Sequence, residues 1–396
     1  MLVALATASY AQNPDGLKQV MGADTYEAAQ ELLKGAEGTM TNTEKAKAYN
    51  KLVDLAVSEN TKAEEKALKA QVAQNTDEMN AENTKKTKAA YNALNAAFKC
   101  NEFDQQPNEK GKVSPKFQSK NADKLLIVRN SLINPALDAY NSKDYNSAKK
   151  YFGTFVEARQ NSLFAKTDFS KEQNYGQIAY YASLAAFLDK DYDKAEQYAD
   201  IAMNSGEAEP AKDAVTIKIN ALSEKVKVGS LDKDSYEAQL KAFYDKNPDN
   251  EAVFTTLYNA YADNNKKEQA DALIEGRLAA NPNDLMANAL KGQNAQNSDD
   301  YATAIAAYEK ALSAKPDFIA VKTNIGLCYL QRAADCIDKN TNDRGILKAE
   351  AKQGILDDLN QAKKVLEEAK AADPDEAQAK WSFALDRTNN LLENIK

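Results

Sequence analysis

Asp300-Tyr301-Ala302-Thr303-Ala304-Ile305-Ala306-Ala307-Tyr308-Glu309-Lys310-Ala311-Leu312 is the stretch that decides how the rest of this chain reads. Ala304, Tyr308 and Ala311 recur at intervals of four and three, which sets them on one face of a helix. Small, large, small along one face is a packing code. Two helices approach closely only where side chains are small, and an aromatic between the small positions fills the space toward the next element. Gly292, twelve residues before Ala304, supplies the matching close contact on a preceding helix.

Outward from this stretch the punctuation repeats. Pro248, Pro282 and Pro316 stand 34 residues apart, in the steps Asn247-Pro248-Asp249, Asn281-Pro282-Asn283 and Lys315-Pro316-Asp317. In each, proline stops one helix and the polar residue after it can cap the next. A small residue on a first helix, then Ala, aromatic and Ala on a second, then Pro resembles the tetratricopeptide (TPR) repeat. The preceding unit offers Leu257, Tyr258 and Tyr261, then Ala270, Ile274 and Pro282, with Arg277 in place of the second small residue. After Pro316 come Ile325, Gly326 and Tyr329, but the second helix resumes only at Ala362, Leu366, Ala369 and Pro374, which leaves an insertion of about 24 residues around 338–353. Toward the N-terminus the phrase returns as Asp191-Tyr192-Asp193-Lys194-Ala195 and Asp144-Tyr145-Asn146-Ser147-Ala148, each Asp-Tyr pair at the turn between helices. Residues 215–247, with Tyr236, Leu240 and Phe243, read as a degenerate unit, and a partial one surrounds Trp381, Phe383 and Leu385. About six units then fill residues 126–396.

The resemblance implies an all-α fold, an alpha-alpha superhelix (TPR solenoid) of antiparallel helix pairs whose first helices line the concave side. Projecting the first helix of the three clearest units places Thr255, Asn259 and Ala262, then Ala289, Gln293 and Gln296, then Thr323, Leu327 and Leu330 on that side. The set is short, amide-rich and nearly uncharged, suited to hydrogen-bonding an extended backbone or a polar helix. Some family members grip a C-terminal carboxylate with Lys and Asn on successive first helices. Asn259 fits such a clamp, but Thr255, Ala289 and Thr323 stand where basic side chains would be needed, so that ligand is not supported. The 19 tyrosines fall mostly at core and turn positions and read as packing.

Residues 12–125 carry no clear repeat. Residues 25–33, 44–57 and 62–74 read as amphipathic helices, while 101–121, with Pro107, Gly111, Ser114 and Pro115 among polar residues, reads as a linker. Residues 1–11 are apolar and end with small residues at Ser9 and Ala11, which looks like the back half of a secretory signal, although no basic residue precedes Lys18. A periplasmic or secreted location is the expectation. No later window reaches the ~20 apolar residues of a membrane span, so membrane insertion is not expected.

Scarce Gly (14) and Pro (9) agree with the helical reading. A net charge of −8 argues against nucleic acid, because phosphate would be repelled. Cys100, Cys328 and Cys336 are too few for a disulfide framework, and the last two, if on one helix, lie about 12 Å apart. With no histidine in the chain, Ser-His-Asp and Cys-His pairs and histidine metal sites are unavailable. Neither a Walker-type loop nor a Gly-x-Gly-x-x-Gly turn occurs, and no Cys-x-x-Cys pair. Catalysis would rest on carboxylates alone, and the clusters Asp299-Asp300, Asp357-Asp358 and Asp189, Asp191, Asp193 lie in Lys-rich helical surroundings that read as caps and solvated faces. The expectation is a non-enzymatic interaction scaffold or adaptor of the bacterial envelope, with a protein or peptide partner and no cofactor or metal. The alternative is a glycan- or nutrient-binding component of an outer-membrane uptake system. Oligomeric state stays open, since exposed terminal hairpins of such arrays can pair into homo-oligomers.

Overall fold

The computed structural model describes residues 14–343 and 345–395. The signal remnant expected at 1–11 lies outside them. The regular elements described are eighteen α-helices and two short 3-10 turns, and apart from these there is one isolated β-bridge between Thr341 and Leu347. Contacts divide the chain into two compact units, 1–232 and 233–396, each built of sequentially packed antiparallel helices. The boundary falls inside the degenerate unit expected at 215–247. Helix α10 (Ala208–Lys227) packs on the first unit and α11 (Lys233–Lys246) on the second, with left-handed Gly229 at φ 77° between them.

The first unit opens with α1 (Pro14–Met21), α2 (Tyr26–Ala36), α3 (Asn42–Val72) and α4 (Thr76–Asp104). The two amphipathic stretches expected at 44–57 and 62–74 are one helix of 31 residues. Nothing in Ser58-Glu59-Asn60-Thr61 breaks it, for no Gly or Pro intervenes. Asn60 is instead drawn into the seam, its Nδ2 donating to the Lys86 carbonyl at 2.8 Å. Buried alanines on both sides, Ala56, Ala63 and Ala67 on α3 and Ala89, Ala93 and Ala97 on α4, allow the close approach. Helix α4 runs on to Asp104 and α5 (Gln118–Asn130) begins at Gln118, so the irregular linker is shorter than 101–121. Asp104 fastens that loop by accepting from the amides of Lys116 and Phe117, both at 2.7 Å. Then follow α6 (Ile133–Asn141), α7 (Tyr145–Gln160), α8 (Tyr175–Leu188), α9 (Tyr192–Met203) and α10.

In the second unit the 34-residue register is visible in the helix starts. The first helices α12 (Glu251–Asp263), α14 (Leu285–Asn297) and α16 (Ile319–Asn340) begin 34 residues apart, as do the second helices α13 (Lys267–Ala280) and α15 (Tyr301–Ala314). The insertion expected near 338–353 is not a loop. It lengthens α16 to 22 residues and α17 (Ala349–Ala372) to 24, so helix resumes at Ala349 and not at Ala362. Only 341–348 turns the chain between them. The last helix, α18 (Ser382–Ile395), packs on α16 and α17. Trp381 enters the core ahead of it, its Nε1 donating to the Asp373 carbonyl at 2.8 Å, whereas Phe383 is largely exposed.

One turn joins the helices of a pair and recurs in both units. Lys143, Lys190, Asn265 and Asp299 each adopt a left-handed conformation, φ between 57° and 64°. After each, the next amide returns to the carbonyl five residues back: Asp144 to Ala139, Asp191 to Ala186, Lys266 to Tyr261, Asp300 to Ala295. This closes the first helix in the six-to-one pattern of a Schellman end. The side chains of Asp144, Asp191 and Asp300 then accept from the amides of Ser147, Lys194 and Thr303, capping the second helix. The Asp-Tyr phrase of the sequence is thus cap and first helical residue.

Candidate partner-binding face

The small-residue code acts as side-chain clearance. A Cβ on Gly292 would meet the Tyr308 ring at 2.5 Å, and one on Gly326 would meet Leu366 Cγ at 2.5 Å. Both pairs hold first helix against second, at equivalent register once the insertion is removed. Burial pushes the Tyr308 phenol well above its ordinary range. Its hydroxyl donates to Gln296 Oε1 at 2.9 Å and accepts from Asn324 Nδ2 at 3.4 Å.

These contacts sort the nine residues projected onto the concave side. Asn259, Ala262 and Gln293 are exposed on α12 and α14. Thr255, Ala289 and Leu327 are half-buried, and the Thr255 hydroxyl donates back to the Glu251 carbonyl at 2.9 Å. Gln296 is half-buried and held by Tyr308. Thr323 and Leu330 leave the set as corrections, because both are buried. The Thr323 hydroxyl donates to the Ile319 carbonyl at 3.0 Å, and Leu330 joins the cluster formed with Trp381, Leu385 and Leu392 around the last helix. At Leu330 the last helix covers on α16 what stays open on α12 and α14. Neither the Asn259 nor the Gln293 side chain makes a hydrogen bond within the described residues, whereas the Asn294 side chain is engaged through both its oxygen and its nitrogen, accepting from the Tyr258 hydroxyl and donating to Asp271 Oδ1 at 2.9 Å.

The second helices carry grooves of their own. Two adjoining cavities of about 420 and 340 Å³ lie along α13, α14 and α15 and share Glu275, Lys291 and Thr303. None of the nine projected residues lines them. Lys291 Nζ and Glu275 Oε1 pair across this groove at 2.7 Å.

The acidic clusters are occupied structurally. Lys149 pairs with Asp189 and Asp191 at 2.7 and 2.8 Å, and Lys225 with Asp193 at 2.7 Å. The Thr303 side chain and amide hold the Asp300 carboxyl below its usual value. Among the described residues no group of three or more His, Cys, Asp or Glu is placed to hold a metal ion. No helix among them is long and apolar enough to cross a membrane.

Sequence reasoning passed over the arginines. Only six occur among 51 basic residues, and four of them sit in built contacts. Arg277, read as a departure from the repeat, donates Nε to Asp284 Oδ2 at 2.8 Å and Nη1 to the Pro248 carbonyl at 3.1 Å while lying over the Phe254 ring. It ties α13 to the turn before α12 and to the N-cap of α14. Arg332 grips Asp358 with two nitrogens, at 2.8 and 2.6 Å. Arg129 and Arg159 share Glu172 in the first unit. A planar fork suits such fixed two-pronged contacts better than a lysine, so arginine rarity was the available signal.

No family model matches this chain, and no curated protein does. Solved structures of TPR proteins do resemble it. A TPR repeats protein from Bacteroides fragilis is 16% identical over 66% of this chain and 98% of its own, with a TM-score of 0.30. IFIT1, a monomeric mutant with m7Gppp-AAAA, is 16% identical over 80% of this chain and 64% of its own, TM-score 0.38. The TPR domain of P58(IPK) is 12% identical over 93% of this chain and 98% of its own, TM-score 0.28. At these scores the likeness carries no argument about function, and the helix-pair architecture stands on the register, turns and clearances described above.

Proposed function

We propose that this chain is a non-catalytic scaffold that holds a polypeptide against the first helices of its second unit, at Asn259, Ala262 and Gln293, with Thr255, Ala289, Gln296 and Leu327 at the margin. One observation carries the reading. Asn259 and Gln293 occupy equivalent places 34 residues apart, both exposed and neither side chain hydrogen-bonded among the described residues. Two free amides in register offer donor and acceptor pairs to an extended backbone. The absence of charge at these positions favours a neutral segment over a clamp for a terminal carboxylate.

The test is capture of the partner from envelope extract by the intact chain and by the double variant Asn259→Arg, Gln293→Arg. Loss of capture by the variant, with melting unchanged, supports the reading. Equal capture by both sinks it. An envelope location is part of the proposal and rests on the apolar, small-residue stretch at 1–11. Cell fractionation that leaves the chain in the cytoplasm would overturn that part alone.

A further inference from the structure

Arg129, on α5, has no solvent exposure. Its Nε donates to the Phe155 carbonyl at 2.9 Å, its Nη1 donates to Glu172 Oε1, and the Phe155 ring lies 3.6 Å from the guanidinium carbon. Its Nη2 has no acceptor among the described residues. Arg159, at the end of α7, donates Nη1 to the other oxygen of the same carboxylate at 3.2 Å and lies over the Tyr175 ring at 4.2 Å. Two guanidiniums therefore share one carboxylate among aromatic rings. A buried guanidinium is best met by a carboxylate that offers both oxygens to its fork. Glu172 instead divides its two oxygens between Arg129 Nη1 and Arg159 Nη1 and leaves Nη2 of Arg129 unmet, and an unfilled buried donor of this kind calls for an explanation.

Arg159 also lines a cavity of about 440 Å³, together with Gln160, Tyr175, Asp200, Asn204 and Ser205. The acids nearby are committed elsewhere. Asp200 pairs with Lys218 at 2.5 Å. Glu207 accepts from the amides of Gly176 and Gln177 at 2.7 and 3.3 Å and so neutralises the N-terminus of α8. Gly176 leaves room for this, since a Cβ there would lie 2.2 Å from Ser205 Oγ. What remains uncompensated is the pair formed by Arg159, at the cavity wall, and Arg129, buried behind it, which holds one positive charge more than Glu172 balances.

We propose that the cavity binds a small oxyanion, a carboxylate or phosphate on a compact polar molecule, by exchange at Arg159. The anion takes the guanidinium of Arg159, Glu172 turns both oxygens to Nη1 and Nη2 of Arg129, and the orphaned donor is filled. The Ser205 hydroxyl and Gln160 amide are placed in the cavity wall to donate to the bound molecule. Glu172 lies in the segment between the 3-10 turn Ser162–Phe164 and α8, so ligand occupancy tightens that segment on α5.

The experiment is calorimetric titration of the full chain, separately with inorganic phosphate and with succinate, at low ionic strength. One-site binding of either probe is expected, weakened on the order of tenfold by Arg159→Gln and strengthened on the order of fivefold by Glu172→Gln, which removes the competing carboxylate. Opposite signs from two neighbouring variants exclude misfolding as the cause, because lost structure does not raise affinity. Phosphate alone, succinate alone or both binding in this pattern support the site and distinguish the source. No heat from either probe at about 10 mM, or binding indifferent to both variants, overturns it.

Discussion

Gly292 and Gly276 lie on neighbouring helices of one repeat register and make opposite predictions. A methyl group on Gly292 would sit 2.5 Å from the Tyr308 ring, which is hemmed in by Gln296 and Asn324, while one on Gly276 meets nothing within 4 Å. Gly292→Ala should therefore cost about 1–3 kcal/mol through forced repacking, and Gly276→Ala should stabilise by about 0.5–1 kcal/mol through helix propensity. Urea denaturation of the two variants checks both signs. Arg277→Ala is expected to destabilise by about 1–3 kcal/mol, because Asp284 would keep its half-buried carboxylate without the partner that now holds it at 2.8 Å. At this scale the sequence was partly transparent. The spacing of Gly292, Ala304 and Tyr308 named the close contact, but Arg277 looked like a defect, since a pattern of residue sizes says nothing about a side chain that spans to Pro248 and Asp284.

At the scale of the element, the turn between paired helices was legible as a cap and illegible as a backbone shape. Asp144, Asp191 and Asp300 announce a helix start. Lys143, Lys190 and Asp299 before them give no sign of left-handed conformation, for which glycine is the usual mark. Lys190→Gly should be stabilising or neutral, within about 1 kcal/mol, since relief of the left-handed conformation opposes the entropy of a freer unfolded chain. A fall of several kcal/mol in chemical denaturation would contradict the observed φ of 61°. The two lengthened helices α16 and α17 were misjudged for a related reason. The repeat pattern places the second helix from Ala362 onward, whereas Ala349 to Asn360 already carries Ile355 and Leu359 into the core at helical spacing. Burial of Thr323 and Leu330 could not be read at all from their own helix. For Leu330 it depends on α18, which arrives more than forty residues later and packs into the same cluster.

For the whole molecule, the all-helical class and the repeat period were readable because proline punctuation and small-residue spacing act locally. The division at Asp232/Lys233 was not, since it depends on which neighbour each helix chooses. Burial sets the response of the whole chain to alkali. It pushes the Cys100 and Cys328 thiols up to about 12 from 9.0, and the Tyr26, Tyr175 and Tyr301 phenols up to about 12 from 10.0. Groups raised in the folded state add stability that is complete below their unfolded values and is lost as the pH rises through the folded ones. The melting temperature should then fall steadily between pH 9 and 12, followed by circular dichroism. A flat profile across that window would mean these groups are wetter than described. At pH 8 the same burial leaves Cys100 and Cys328 unreactive toward alkylating reagents until the chain is unfolded.

Site-specific photocrosslinking in cells tests the central claim most directly, with the reactive group placed at Gln293 in one strain and at Lys310 on the second-helix side in another. A discrete protein adduct from Gln293, identified by mass spectrometry and lost when Asn259 is replaced by arginine, is the result this account predicts. Adducts from Lys310 with none from Gln293 would contradict it, and would move the binding surface to the groove along α13 and α15.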